Sequence, residues 1–333
     1  MRQRGFDRKG GASMKRRGRG TALAVLAMLT VACSDDLRDM ELTGHCIAVD
    51  PGTTVVSTAA LGEQLLRQGG LAVWGINTRQ GTFARGGDYG DERFRVPHLF
   101  PGRFRYAGGE WVGAGSQASD SAAVWPVDDL LTLMAVSPAD FEASGFEAMG
   151  DYADTRRFAL TFTGEGLPTG PLLVAQVTQQ VYSEQRTGVR FRLTDMLAAM
   201  SFRLHNELDD DIDSLVAVGV SGRFPMARGD RRPRVLLDEQ LPEWENLTDG
   251  RLDYGHHQAT VFRQRGVERF GTTGTPEDRP LFFFPGFAQD VRFEIVYTLR
   301  DSAGTYRREA TLAGVKRLEQ GRVYLMDITL RER

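Results

Sequence analysis

The chain has 333 residues, 26% of them charged, and a formal net charge of −3 at pH 7. Residues 1–32 carry eight basic residues against one acid, so the chain beyond them has a net charge of about −10. Such an acidic chain does not bind nucleic acid through its electrostatics, and its length favours two domains.

The N-terminus has the organisation of an export signal. Basic residues at 15–19 precede an apolar run of twelve residues, Thr21–Ala32, and a cysteine follows at position 33. A helix that spans a membrane needs about 20 residues, so this run is too short for a permanent transmembrane anchor. Residues 1–32 therefore predict a cleaved signal peptide, and translation starts at Met1 or at Met14.

Cys33 is the predicted site of lipidation. The sequence Leu29-Thr30-Val31-Ala32 before it resembles a lipobox, in which the cysteine thiol receives a diacylglyceryl group, although Thr30 is an unusual residue there. The acidic tether at 33–44 begins Cys-Ser-Asp-Asp, which resembles the surface-export signal of lipoproteins in gut and oral Gram-negative bacteria. It predicts a lipid anchor on the outer face of the outer membrane. The alternative is an ordinary secretory leader with an incidental cysteine.

Only Cys46 remains once Cys33 is set aside, so the mature chain has no pair of cysteines for an intrachain disulfide. A cysteine zinc site needs several ligands at close spacing, and the sequence lacks them. We expect Cys46 to be a small apolar residue in a strand. We predict no metal and no cofactor.

Apolar residues recur with period two in short runs that turn residues separate, which predicts an all-β fold. The clearest alternation predicts strands at 189–193, 216–220, 293–299 and 323–330. A short helix is predicted within 138–149, with Ser137 as its N-cap.

The polar segment 183–188 has no apolar period and ends in glycine, as a linker does. It predicts two sandwiches of about seven strands each, at 45–184 and 185–333.

A series of local patterns runs from about residue 45 to residue 330. In order they are GGLAVWGINT (69–78), FRYAGGEW (104–111), AAVWPVDDLLTLMAVSP (122–138), GPLLVAQ (170–176), VRFRLTDMLAAMSFRL (189–204), PLFFFPG (280–286), FEIVYTL (293–299) and GRVYLMDITL (321–330). This order resembles the fimbrillin-like proteins, which form or decorate type V pili; Asp195 stands where that family commonly has histidine. The resemblance implies two transthyretin-like Greek-key β-sandwich domains in tandem.

The resemblance also implies a function: a structural and adhesive cell-surface lipoprotein, joined to other pilus subunits by donor-strand exchange. The chain ends three residues after Leu330, so no spare donor strand is expected there, which favours an anchor or tip over a stalk. Subunits of this family mature when an arginine-specific protease cuts after an early strand. That strand is predicted at Cys46–Ser57, and Arg67 is the only arginine in the predicted loop Thr58–Gln68. A solvated loop arginine that is never cut is the alternative.

A second hypothesis is a non-polymerising surface lipoprotein that binds glycan or host protein through exposed aromatic side chains. Trp244 is predicted in an exposed loop, whereas a buried position is favoured for Trp111.

Evidence for an enzyme is weak. His256 and His257 are interpreted as loop residues, and on a strand they would point to opposite faces, where they do not easily chelate one metal. The acidic run 209–213 lacks the glycine and distal glutamate of a known calcium loop. The sequence has no Gly-x-Ser-x-Gly elbow and no phosphate-binding glycine loop. Paired carboxylates for glycoside hydrolysis are set by the fold and stay open at this stage. We predict that the chain is not an enzyme.

Overall fold

The computed structural model describes residues 48–56, 61–79, 99–113, 125, 130–148, 158–180, 188–208, 212–227, 232–237, 241–258, 267–270, 280–299, 304–311 and 316–331. Cys33, the tether at 33–44 and Cys46 lie outside these ranges. None of the helices within them is both long and apolar enough to cross a membrane.

The described residues form twenty strands, one α-helix and a 3-10 helix at Phe141–Ser144, which confirms the all-β fold class. The elements are β1 (Thr54–Val56), α1 (Leu61–Gly69), β2 (Leu71–Arg79), β3 (Leu99–Ala107), β4 (Glu110–Gly113), β5 (Leu130–Ser137), β6 (Phe146–Ala148), β7 (Ala159–Phe162), β8 (Leu173–Gln180), β9 (Arg192–Asp195), β10 (Ala198–Glu207), β11 (Ile212–Met226), β12 (Arg234–Leu236), β13 (Glu243–Glu245), β14 (Thr248–Gln258), β15 (Val267–Phe270), β16 (Leu281–Phe283), β17 (Gly286–Leu299), β18 (Thr305–Thr311), β19 (Lys316–Leu318) and β20 (Val323–Arg331). The predicted strands at 189–193, 216–220, 293–299 and 323–330 coincide with a β-bridge at Val189 that leads into β9, and with β11, β17 and β20.

The predicted helix within 138–149 is wrong in its details. Ser137 does not cap a helix, because it is buried at the end of β5 and pairs there with Leu173 of β8. The residue before a proline avoids the helical region, so the strand continues to Ser137. Only the short 3-10 helix at Phe141–Ser144 forms, and β6 follows it directly.

The first sheet has seven strands in the order β1-β9-β8-β5-β2-β3-β4. β1 lies at one edge and pairs in parallel with β9, whereas the other neighbours in this sheet pair antiparallel. Successive side chains of a strand point to opposite faces, and both faces are buried here. Leu71 and Val73 thus enter one core, and Ala72 and Trp74 enter another.

One face of this sheet packs on a second sheet, in the order β13-β12-β7-β6. The core between them is rich in aromatic side chains, including Trp74, Phe141, Phe146, Phe158, Phe162 and Phe284. The opposite face encloses a separate core with Val49, Leu66 of α1, Trp111, Trp125, Phe191 and Leu193. The chain that precedes β2 therefore completes the core on this second face.

The C-terminal part builds two more sheets. One has the order β14-β11-β17-β18, with β19 paired to β17, and in the other β10 pairs with β15, β16 and, in parallel, β20. Their shared core takes its fully buried members from residue 198 onward, including Met200, Phe224, Phe283, Phe293 and Ile295. Phe282 and Phe284 point the other way, into the aromatic core, so this segment links the two halves.

The first sheet extends past the boundary that the sequence predicts at 184/185. β9 lies beyond that position and pairs with β8 and β1, and β12 pairs with β7. Strand pairing across long sequence separations therefore joins segments that the local pattern assigns to different domains. The division into two sandwiches and their transthyretin-like topology stay predictions.

Candidate functional site

The edge segment, residues 48–56, runs along residues 188–194, which we name the edge groove. β1 pairs in parallel with β9, from Thr54 opposite Arg192 onward, and an isolated parallel bridge joins Val49 and Val189. The Asp50 N–H donates to the Val189 carbonyl at 2.8 Å, and the Val189 N–H donates to the Ala48 carbonyl at 2.8 Å. Backbone hydrogen bonds therefore make up much of the attachment.

Val49 and Val55 are the edge segment's described side chains that contact the core beneath it. Val49 is 4% exposed and lies in the same core as Val189, Phe191 and Leu193. Val55 is half-buried and packs against that core. Full burial of one valine stabilises by about 1.5–3 kcal/mol, so these two side chains hold the segment only modestly.

Asp50 connects the edge segment to the edge groove by charge. Its Oδ1 accepts hydrogen bonds from Nε and Nη2 of Arg190, each at 3.2 Å, and from the Gly52 N–H at 2.6 Å. The Asp50 side chain is 11% exposed, whereas that of Arg190 is 65% exposed. The carboxylate is thus enclosed, and the guanidinium approaches it from the solvent side.

Two groove residues fix how the segment sits. Gly188 has φ +103°, and a Cβ there would lie 2.8 Å from the Asp50 nitrogen, so only glycine allows this approach. The Phe191 N–H donates to Oγ1 of Thr53 at 3.2 Å, and both residues are buried. The Thr53 hydroxyl therefore supplies the acceptor for the buried Phe191 N–H. The turn before Thr53 offers this N–H no backbone carbonyl.

The outer side of β1 contacts α1. The Thr54 N–H donates to the Phe191 carbonyl at 3.0 Å, so the next N–H, of Val55, points away from the groove. Oε1 of Glu63 accepts that N–H at 3.0 Å. Helix α1 thereby covers a donor that an edge strand otherwise presents to any other chain.

Arg67 lies in the last turn of α1, so its prediction as a loop residue is wrong. Its side chain is 58% exposed; Nε lies 3.9 Å from Oε2 of Glu63, and Cζ lies 5.1 Å from the centre of the Tyr106 ring. The helix ends at Gly69, and the N–H of the next residue, Gly70, which has φ +72°, donates to the Leu66 carbonyl at 3.0 Å. The signals of this helix were in the sequence: the Glu63–Arg67 spacing of four and the stop at Gly69-Gly70.

Of the two tryptophans weighed as an exposed platform, Trp111 is buried and Trp244 is partly buried. Trp111 is 7% exposed, which confirms the buried position favoured by the sequence. The loop predicted for Trp244 is wrong, because this residue lies in β13, packs on Phe146 and Phe284, and donates from Nε1 to the Met196 carbonyl at 2.8 Å. Neither side chain is fully exposed, as the glycan-binding hypothesis requires of a platform.

The interpretation of His256 and His257 as loop residues is wrong, since both lie in β14, opposite Gly219 and Val218 of β11. Asp209, Asp210 and Asp211 lie outside the described residues. Within the described ranges, no group of three or more histidine, cysteine, aspartate or glutamate residues is placed to hold a metal ion.

Asp195, the position that departs from the fimbrillin-like pattern, directly follows the edge groove. It is 6% exposed, and burial raises the pKa of its carboxyl from 3.8 to about 7; the hydrogen bond that Oδ1 accepts from the Leu197 N–H, at 3.1 Å, opposes this rise. The sequence shows that Asp195 is unusual at this position, but it does not show that the residue is buried. The segments that enclose Asp195 are distant from it in the sequence.

Comparison with known proteins gives weak likenesses. No protein-family model matches the chain, and no curated protein does. Among solved structures, the chain is similar to a proposed cell adhesion protein from Bacteroides ovatus, with 12% identity, a TM-score of 0.46 and coverage of 86% of this chain and 92% of the other. A proposed cell adhesion protein from Bacteroides uniformis has 13% identity, a TM-score of 0.38 and coverage of 86% and 93%. A fimbrial protein from Bacteroides ovatus has 10% identity, a TM-score of 0.29 and coverage of 86% and 48%. At these identities and scores, the likenesses establish neither the family nor the function.

Proposed function

We propose that the chain is a structural and adhesive component of a type V pilus, an anchor or tip subunit, held at the cell surface by a lipid on Cys33. The fimbrillin-like order of sequence patterns and the export signal support this role. One structural observation carries it: the edge segment lies at the edge of a sheet and pairs with the edge groove through backbone hydrogen bonds.

The energetics of the edge groove favour strand exchange. A departing edge segment leaves an apolar slot beside Phe191 and Leu193, together with groove N–H and C=O groups that lose their partners. Each buried hydrogen bond left unmade costs about 1–3 kcal/mol, so an empty groove favours a replacement strand. A second strand that restores these contacts leaves the balance near neutral and links two subunits.

The position of Arg67 alters the release step. Loop tips are the preferred sites of proteolytic nicking, so a cut at Arg67 requires the last turn of α1 to open first. Cleavage after Arg67 would separate Leu66 from the protein body together with the edge segment. Because Leu66 is fully buried in the same core as Val49, the slot would be larger than the strand alone predicts.

The release model is tested by treating the purified mature protein with an arginine-specific protease. We expect a new N-terminus at Gln68, followed by multimers that resist warm detergent. The Arg67→Gln variant is the matched control and should stay uncut at this position and monomeric. A protein that is cut at Gln68 and still fails to multimerise would contradict strand exchange.

Membrane attachment is tested separately. The Cys33→Ser variant should lose incorporation of a fatty-acid analogue and become soluble in the periplasm or the medium. Labelling that persists in this variant would exclude Cys33 as the lipid site.

A further inference from the structure

We propose that the edge groove selects the strand it binds by the order of that strand's side chains. Arg190 requires a carboxylate on the residue that follows the strand's first buried apolar residue. The inference rests on the proposed function, because it concerns the strand that another subunit supplies. The occupant is an extended segment of a partner subunit with the same order of groups as residues 49–55.

The first reason is the geometry of the Arg190 pair. Two guanidinium nitrogens donate to one Asp50 oxygen at 3.2 Å, and that carboxylate is nearly enclosed while Arg190 remains largely exposed. An exposed guanidinium stays accessible to an incoming strand. A strand with a neutral residue at this position loses the attraction of opposite charges, and a strand with a basic residue also loses the acceptor and is repelled by Arg190.

The second reason is a donor that needs a side-chain acceptor. The Phe191 N–H is buried, and Thr53 Oγ1 accepts it. The turn Pro51-Gly52, closed by the bond from the Gly52 N–H to Asp50, separates the two backbone-paired stretches of the segment. A strand with valine in place of Thr53 would therefore leave a buried N–H without this acceptor, which is costly.

The third reason is that the groove fixes the register. Gly188 allows the backbone of Val49 and Asp50 to approach closely, and a Cβ at that position would clash with it. The apolar anchor Val49 then lies opposite Val189, which places the next residue at Arg190. The groove thus recognises an apolar residue, an acid, a two-residue turn, a hydroxyl and, two residues later, a second apolar residue.

The first arm of the test measures recognition within one chain by amide hydrogen exchange in the full-length protein. We expect Asp50→Asn and Arg190→Gln each to speed exchange of the Thr54 amide about three- to tenfold, as loss of a half-exposed charged pair implies. Arg322→Gln is the matched control, because it removes a half-exposed ion pair with Glu319 outside the edge groove, and it should leave the rate unchanged. The exchanged pair Asp50→Arg with Arg190→Asp should exchange more slowly than Asp50→Arg alone, because it restores the opposite charges. It should stay faster than the wild type, because an arginine at position 50 cannot accept the hydrogen bond from the Gly52 N–H.

The second arm measures selection between chains with a fluorescent peptide of residues 47–57. Full-length protein carrying Asp50→Arg, whose own segment is mismatched, should bind the native peptide about three- to tenfold more tightly than a peptide with Asp50→Asn. Full-length protein carrying Arg190→Asp should prefer a peptide with Asp50→Arg.

The two arms separate the possible failures. If the exchanged pair exchanges no more slowly than Asp50→Arg alone, or if all peptides bind equally, selection by Arg190 is overturned. If the exchanged pair exchanges more slowly than Asp50→Arg alone but no peptide binds, strand exchange between subunits is overturned, and Arg190 recognises only the segment of its own chain.

Discussion

The buried carboxyl of Asp195 makes the stability of this protein depend on pH in an unusual direction. Burial raises its pKa from 3.8 to about 7, so the folded protein retains a proton that the unfolded chain releases. The contribution of Asp195 to stability is therefore fully present below pH 4 and is lost as the pH rises through about 7. At about 1.4 kcal/mol per pKa unit, the loss amounts to at most about 4 kcal/mol.

The perturbation is Asp195→Asn, which keeps an oxygen for the Leu197 N–H and removes the ionisation. We expect the variant to gain stability over the wild type between pH 4 and pH 8, by up to about 4 kcal/mol. The assay is urea unfolding at half-unit pH steps, and the quantity is the difference in the free energy of unfolding between the two proteins. Taking this difference cancels the other titrating groups.

Asp140→Asn is the control, because Asp140 is an exposed aspartate that precedes the 3-10 helix. This variant should follow the pH profile of the wild type. If the difference in the free energy of unfolding between Asp195→Asn and the wild type stays constant across pH 4–8, the reasoning is refuted. Such a result would show that the Asp195 carboxyl has the same pKa in the folded and unfolded protein.

Four further predictions follow from the site and from the sequence. Glu63→Ala should speed exchange of the Val55 amide about two- to tenfold, because its acceptor is lost, whereas Glu63→Gln keeps the acceptor and should not. Leu66→Ala should lower the free energy of unfolding by about 2–5 kcal/mol in urea titrations, because Leu66 is fully buried; a loss below 1 kcal/mol would contradict its place in the core. Cys33→Ser should abolish labelling with a fatty-acid analogue. The predicted domain boundary requires that residues 189–333 expressed alone show β-rich circular dichroism and a cooperative melt. Because β9 and β12 lose their partners β1, β8 and β7 in this fragment, a broad melt would show that the two halves depend on each other.

Local pattern predicts individual strands, four of them explicitly, but not their partners. The alternation of Phe293, Ile295 and Tyr297 predicts a strand with these side chains on one buried face, and β17 forms there. The pairing of β9 with β1, and of β12 with β7, depends on segments more than 70 residues apart, and no local period encodes it. The polar segment at 183–188 predicts a domain boundary at 184/185, whereas the first sheet includes strands on both sides of it.

The candidate site shows the same limit. The early strand is predicted at Cys46–Ser57, and its described part, residues 48–56, lies at a sheet edge. The prediction of one continuous strand is wrong, because a turn at Pro51-Gly52 separates an isolated bridge at Val49 from the short strand Thr54–Val56. Its parallel direction, the contact of Asp50 with Arg190, and the acceptor role of Thr53 arise from a groove 138–140 residues away. The neighbours of Trp244 in sequence are proline and acids, and they predicted a loop, whereas the aromatic residues that enclose it come from β6 and the segment after β16.

Replacement of the edge segment is tested most directly by native mass spectrometry of the mature protein after cleavage at Arg67, in the presence of excess peptide of residues 47–57. We predict a species that has lost its own N-terminal fragment and gained one peptide, with the remaining chain still folded. A protein that keeps its own fragment bound at all peptide concentrations, or that unfolds when the fragment leaves, would contradict strand exchange at this site.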